Sequence, residues 1–402
     1  MPFEKSFVPY GGYWSTPFCR WQGSFANLHS LKFAAEIANK ALTEKKIPLE
    51  QIETFVLGWT IPQKSCFYGA PWTAGLLGNA MITGPMIGQA CATSAKCVQT
   101  AAHEIECGAS SLTLTVTADR CSNGPHLYFP NPMGPGGTGE KEDWVLDNFG
   151  DDPFAKNAMI DTAENCAREH KVTKEEQDEM VLLREKQYRD ATANDQAFQK
   201  RYMVLPVEVK DPSGRKVLAT VRADEGPRSS TAEGLAKLKP VKPNGTVSFG
   251  AQTFPADGNC GMLLATRDKA RELSKDKNVE IQVVSYGQGR VRKGFMAEAI
   301  IPAAKQALER AGIGIKDVAV IKTHNPFAVN DVVFCREFGV KWEQMNNYGS
   351  SLVYGHPQGP TGMRLMIEMI EELVMKGGGY GLFDGCAAGD TGAAVVLKVT
   401  CK

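Results

Sequence analysis

Cysteine is the side chain here best suited to covalent chemistry, and one of the eleven stands apart by its setting. Cys91 follows the loop Gly84–Ala90 and opens a helix-compatible run through Lys96, Val98, Ala101 and Ile105 to Gly108. A thiol at a helix amino end faces unpaired backbone N–H groups and the positive end of the helix dipole, which favours its thiolate. A free thiol ionises at about pH 8.5, so a neighbouring base would activate it further. The residues that follow, Ala92-Thr93-Ser94-Ala95, are small enough to let a ligand approach. Cys97 lies inside the same run, away from the free N–H groups. Any other cysteine reads first as a small buried hydrophobe.

Three further groups sit where turns would hold them. His356, one of only six histidines, lies in the glycine- and proline-dense stretch Asn346–Gly362, and such turns fix a side chain at a helix start. Cys386 lies in Gly385-Cys386-Ala387-Ala388-Gly389-Asp390-Thr391-Gly392, a tight strand-to-strand turn that offers a second thiol and amides suited to an oxyanion. His324 opens His324-Asn325-Pro326-Phe327 after an apolar strand, where a parallel sheet presents functional loops.

Competing motifs are incomplete. Gly134–Lys141 half resembles a phosphate-binding loop, but Glu140 separates glycine from lysine and no Ser or Thr follows Lys141. No G-x-S-x-G elbow is present, and Gly287-Gln288-Gly289 lacks the third glycine of a dinucleotide fingerprint. No C-x-x-C pair occurs, which argues against a structural zinc site, and the odd number of scattered cysteines fits a reducing cytoplasm.

The elements that must position these groups repeat. Ala41-Leu42 is matched by Ala307-Leu308, Ile47 by Ile313 and Ile52 by Val318, each 266 residues further on. Each copy reads as an amphipathic helix, a turn and a buried strand, Phe55–Gly58 in the first and Val320–Thr323 in the second. The helical run from Cys91 feeds a strand Ser111–Thr117, and the run Gly362–Met375 feeds Tyr380–Phe383. Two similar halves of alternating helix and strand predict an α/β fold with mostly parallel sheets. Residues 121–245 differ: Gly and Pro cluster at Pro130–Gly139, and a charged helix over Val172–Asp190 starts with a Thr173/Glu176 capping box. A basic stretch from Arg215 to Lys242 follows. We read this segment as an inserted loop or lid domain, with residues 1–120 plus about 246–270 as one half and 271–402 as the other.

Length and charge set the bounds. A chain of 402 residues needs more than one simple core. Lysine plus arginine balances aspartate plus glutamate at 45 each, so no global basic field points to nucleic acid. The most apolar stretch, Gly75–Ala92, is broken by glycines and a proline, and no signal peptide or membrane span is expected.

Taken in order, the four reactive blocks resemble the thiolase family along nearly the whole chain. Cys91 matches its acyl-accepting cysteine, Gly355-His356-Pro357-Gln358-Gly359 its G-H-P-x-G turn, and Cys386 the second cysteine of its C-x-G-x-G turn. Supporting matches are Asp161–Asn165, Glu175–Asp178, Leu238–Pro240 and Asn244–Val247. His324-Asn325-Pro326-Phe327 is closest to the H-D-C-F form of the sterol-carrier-protein-2-like branch, and Ala388 stands where the family has glycine.

The resemblance implies duplicated α/β halves packed as an α-β-α-β-α core. It implies catalysis by Cys91, His324, His356 and Cys386, and an oxyanion hole made by the amides of Cys91 and Ala388. Coenzyme A would enter as substrate, with Arg215, Arg228 and Thr253 as candidates to meet it, and no metal is expected. A homodimer is implied, with an edge strand near Ser111–Thr117 as its contact, and so is a small OB-fold, zinc-ribbon accessory subunit. The second thiol favours a thiolase over a ketosynthase-type condensing enzyme. Keeping all four reactive groups argues against a binding-only scaffold.

Overall fold

A computed structural model of the chain describes residues 2–402. The repeat is visible in it element by element. The short turns Leu49–Gln51 and Ile315–Asp317 lie 266 residues apart, as do the starts of the strands Leu112–Arg120 and Gly378–Ala387. Strand Thr54–Gly58 has its counterpart in Val318–His324, and helix Thr93–Glu106 in Gln358–Met375.

One large sheet runs in the order Val318–His324, Gly378–Ala387, Thr391–Cys401, Val279–Arg290, Phe7–Val8, Ala256–Ala265, Leu112–Arg120, Thr54–Gly58 and Met86–Ile87. The strand Phe7–Val8 joins two mirrored half-sheets. Helix Ser30–Glu44 covers the outer face of one half and Ile300–Ala311 that of the other, while Thr93–Glu106 and Gln358–Met375 lie side by side between them. The α-β-α-β-α layering is therefore present.

Two expectations are corrected. Pairing is mixed, not mostly parallel. Only Thr54–Gly58 with its two neighbours and Val318–His324 with Gly378–Ala387 run parallel. A parallel return needs a crossover of about a dozen residues. Gly378–Ala387 instead turns back into Thr391–Cys401 through three residues, with Gly389 at φ +78° and Asp390 at φ +57°. The second correction concerns Ser111–Thr117. Its strand, Leu112–Arg120, is paired on both sides and is not an edge.

Between Arg120 and Ala256 no strand joins the large sheet. The segment forms the hairpins His126–Pro130/Gly139–Asp143 and Val207–Lys210/Val217–Val221 together with several helices. Its long helix, Lys174–Gln196, begins at Thr173, whose hydroxyl accepts the Glu176 amide while Glu176 accepts the Thr173 amide at 2.9 Å. Buried Arg184 then ties it to Asp331 at 2.8 Å. Among the described residues no helix is long and apolar enough to cross a membrane.

Candidate active site

The two central helices meet at their amino ends, and that brings remote motifs together. Ser94 donates to the Gly359 carbonyl, and a Cβ on Gly362 would come within 3.1 Å of the Ser94 side chain. Small residues let the helices approach, and the loop before one helix then faces the loop before the other. Cys91 Sγ consequently lies 3.0 Å from His356 Nε2, although 265 residues separate the two.

The hydrogen bonds around each imidazole fix its tautomer. Thr361 donates its hydroxyl to the Pro357 carbonyl at 2.6 Å, so it can only accept from His356 Nδ1, at 2.7 Å. The neutral ring thus carries its proton on Nδ1 and turns a bare Nε2 lone pair to Cys91. His324 is arranged alike. Ser351 donates to Asn325 Oδ1 at 3.1 Å and accepts from His324 Nδ1 at 2.8 Å. His324 Nε2 is buried without a protein partner. The two rings stack with centroids 4.0 Å apart and planes 28° from parallel.

Cys91 Sγ and the two histidines place their ligand atoms within 4.8 Å of one another.

The amides of Ala388 and Cys91 face the Cys91 sulfur and favour its thiolate, but burial dominates and pushes the thiol up to about 12. Burial also lowers His356 to about 3 and holds His324 well below the usual histidine range, with the His356 charge adding to it. Burial thus opposes charge on both partners of the Cys91–His356 hydrogen bond. The amides at the helix end favour the thiolate, as expected from the sequence, while desolvation works against it. Cys386 is fully buried, accepts a hydrogen bond from Asn330 Nδ2 at 3.3 Å, and is raised well above the thiol range by burial and then by the Cys91 charge.

A cavity of about 830 Å³ opens on Cys91, His356 and Ala388. Trp59, Trp144, Phe149, Phe327, Met86 and Met159 line it, and no lysine or arginine does. Thr253 is part of this wall and donates to the Ser351 carbonyl at 2.5 Å. Arg215 is not. It sits at the exposed tip of the Val207–Val221 hairpin, whose valines pack against the outer helix layer. Arg228 is exposed beside the wall, donating to the Phe249 carbonyl at 3.0 Å with its guanidinium over Phe254.

Sequence reasoning overlooked Asn330, Ser351, Thr361 and Asp119. Thr361 and Ser351 lie inside the glycine-rich stretch around His356, and Asn330 follows Phe327 by three residues at a helix start, so position was the available signal. Asp119 had none. Its role exists only because strand Leu112–Arg120 ends beside the His356 turn.

This architecture and this pocket define an acyl-transferring enzyme of the thiolase kind, and the comparisons agree. The Thiolase, N-terminal domain matches residues 13–268 and the Thiolase, C-terminal domain residues 277–399. An acetyl-CoA acetyltransferase of Syntrophomonas wolfei is 27% identical over 399 residues, 95% of this chain and 96% of that one. The human mitochondrial 3-ketoacyl-CoA thiolase in complex with CoA superposes with a TM-score of 0.89 at 25% identity over the whole of both chains. The acetyl-CoA acetyltransferase of Bacillus anthracis gives 0.90 at 25% identity over 99% of each. The chain belongs to the thiolase family. It is an acyltransferase.

Proposed function

We propose that this thiolase cleaves a 3-oxoacyl-CoA with an aromatic or comparably bulky acyl group, benzoylsuccinyl-CoA being the candidate, through an acyl-Cys91 intermediate. The observation that carries the reading is Cys91 Sγ held 3.0 Å from a bare His356 Nε2 at the floor of an aromatic chamber. Tryptophan and phenylalanine walls without a cation suit an uncharged planar acyl group.

In this reading the Cys91 sulfur attacks the keto carbon as His356 Nε2 takes its proton. The amides of Cys91 and Ala388 receive the tetrahedral oxyanion. Collapse leaves the acyl group on Cys91 and expels a thioester enolate. The new His356 Nε2–H donates to the enolate oxygen. His324 Nε2, having only a lone pair to offer, acts through a water that donates one hydrogen to it and the other to the same oxygen. Cys386 gives its proton to the enolate carbon and then takes one from the coenzyme A thiol. The coenzyme A thiolate attacks the acyl-Cys91 carbonyl, and departing Cys91 recovers its proton from His356. Thr253 and Arg228, at and beside the wall, are the candidates to meet coenzyme A.

We also propose a homodimer through the Met86–Ile87 edge. The opposite edge is covered by the Met345 segment, whereas Met81 and Met86 stand exposed. The accessory OB-fold subunit rests on the His324 loop alone, and co-purification tests it. A reducing cytoplasm suits eleven unpaired thiols. Intact-protein mass spectrometry with a panel of 3-oxoacyl-CoAs decides the chemistry: an acyl adduct forms on wild type and is absent from Cys91→Ala. An adduct that survives that substitution removes Cys91 from the mechanism.

A further inference from the structure

Cys386, on the reading above, gives a proton to carbon and takes one from sulfur, so its thiolate must exist for a moment in surroundings that suppress charge. Cys91, Asp384 on the same strand and Cys166 on the helix Met159–Glu169 all oppose a negative sulfur there, in addition to burial. Asp384 is fully buried with neither carboxyl oxygen partnered. One group favours the anion. Asn330 is fully buried at the first turn of helix Ala328–Phe338. Its Oδ1 accepts the Phe327 amide at 3.3 Å, so the orientation of its amide is settled and Nδ2 faces Cys386 Sγ at 3.3 Å. Its neighbour Asp331 is turned away, occupied by Arg184, Thr323, Asn325 and Asn346. An NH₂ group can only donate, and a donor gains most when the acceptor carries charge.

We infer that Asn330 is a positioning residue that holds Cys386 and stabilises its thiolate, governing the proton transfers to the enolate carbon and from the coenzyme A thiol and not the attack of Cys91 on the acyl carbon. The inference rests on the reading of Cys386 as the proton-transfer thiol. Full-length Asn330→Leu and Asn330→Asp test it. Leucine removes the donor at similar size. Aspartate keeps the oxygen that caps Phe327 and sets a second carboxyl oxygen against the sulfur. Acylation is followed by intact mass as the benzoyl group left on Cys91 by benzoyl 4-nitrophenyl thioester, whose leaving thiolate needs no proton from Cys386, and proton transfer as deuterium uptake from D₂O at the α carbon of succinyl-CoA.

Asn330→Leu should acylate at close to the wild-type rate and exchange about 10- to 100-fold more slowly. Asn330→Asp should exchange at low pH, while its carboxyl is protonated and donates, and lose exchange as rising pH places a carboxylate opposite the sulfur. A structural role alone would produce neither the split nor the pH limb. Equal losses of acylation and exchange in the leucine variant overturn the inference, and so does wild-type exchange in both variants. Wild-type protein that neither acylates nor exchanges removes the proposed function, and this inference with it.

Discussion

The Asp119 carboxylate accepts the Gly359 amide at 2.6 Å, and through that contact a strand of one repeat holds the histidine turn of the other. Oδ1 also takes the amides of Thr60 and Ile61, and Oδ2 takes the Thr60 hydroxyl. Burial pushes this acid up to about 6 despite the four donors.

Asp119→Asn is therefore expected to damage both fold and activity. Each oxygen faces donors, so an NH₂ on either side meets N–H or O–H groups and leaves them unpaired. A loss of about 1–3 kcal/mol in stability and at least about tenfold in kcat/KM is expected. Thermal unfolding and steady-state kinetics on one preparation check it; wild-type values for both would show that the turn holds itself.

The two histidines should separate by step. His356→Ala should slow acylation of Cys91 by about 100- to 10,000-fold, the usual contribution of a general base. His324→Ala should acylate from benzoyl-CoA at a rate near wild type yet lose cleavage of the 3-oxoacyl substrate, because its Nε2 serves the enolate. Single-turnover mass spectrometry and cleavage assays separate the outcomes. Similar acylation defects in both variants would contradict the assignment.

Protonation of both rings is set by burial. His356 is lowered to about 3 and His324 is lowered well below its ordinary value. Each should stay neutral as pH falls from 7.5 to 5, and NMR of labelled histidine, assigned with the two alanine variants, should show their Cε1 signals unmoved. The unfolded chain takes up these protons below about pH 6.5 while the folded chain does not, so this pair stabilises the fold above that value and loses its contribution as pH falls toward 3. Ring titration near 6.5 in the folded protein would refute the deep placement.

Trp144 lines the chamber and donates its indole N–H to the Thr60 carbonyl at 3.0 Å. Trp144→Ala should raise KM for an aromatic acyl-CoA by about tenfold or more and change acetyl-CoA kinetics little, because only the larger group reaches that wall. An equal effect on both substrates would mean that the wall does not select the acyl group.

Buried Arg364 pairs with Asp224 at 2.7 and 2.8 Å and with Glu368 at 3.0 Å. Asp224 also accepts the Phe18 amide and the Tyr188 hydroxyl. Asp224→Ala leaves the buried guanidinium with Glu368 alone and should cost about 3–5 kcal/mol, whereas replacing the arginine with leucine in the same background should recover part of that. Denaturant unfolding measures the difference, and a single variant as stable as wild type would show that Arg364 finds water instead.

Local signals carried the repeat, the helix starts and the reactive side chains. Ala41-Leu42 and Ala307-Leu308 mark the same helix twice, Thr173 with Glu176 marks a cap, and the turns around Cys91, His356 and Cys386 are legible because glycine, proline and small residues declare close approach. Strand direction was not legible. Whether Gly378–Ala387 returns parallel or antiparallel depends on which strand it meets, and Leu112–Arg120 looks the same in sequence whether interior or edge.

The sequence by itself determined which groups are available for chemistry and, through its repeat, that two halves present them. Only the tertiary structure decided that the amino ends of two helices meet, that Thr361 and Ser351 bare the Nε2 atoms, that Asn330 and Asp119 belong to the site, and that burial opposes the Cys91 thiolate. Propensity and spacing act over a few residues, whereas a proton's position depends on every dipole and every missing water within several ångströms, most of them contributed by residues hundreds of positions away.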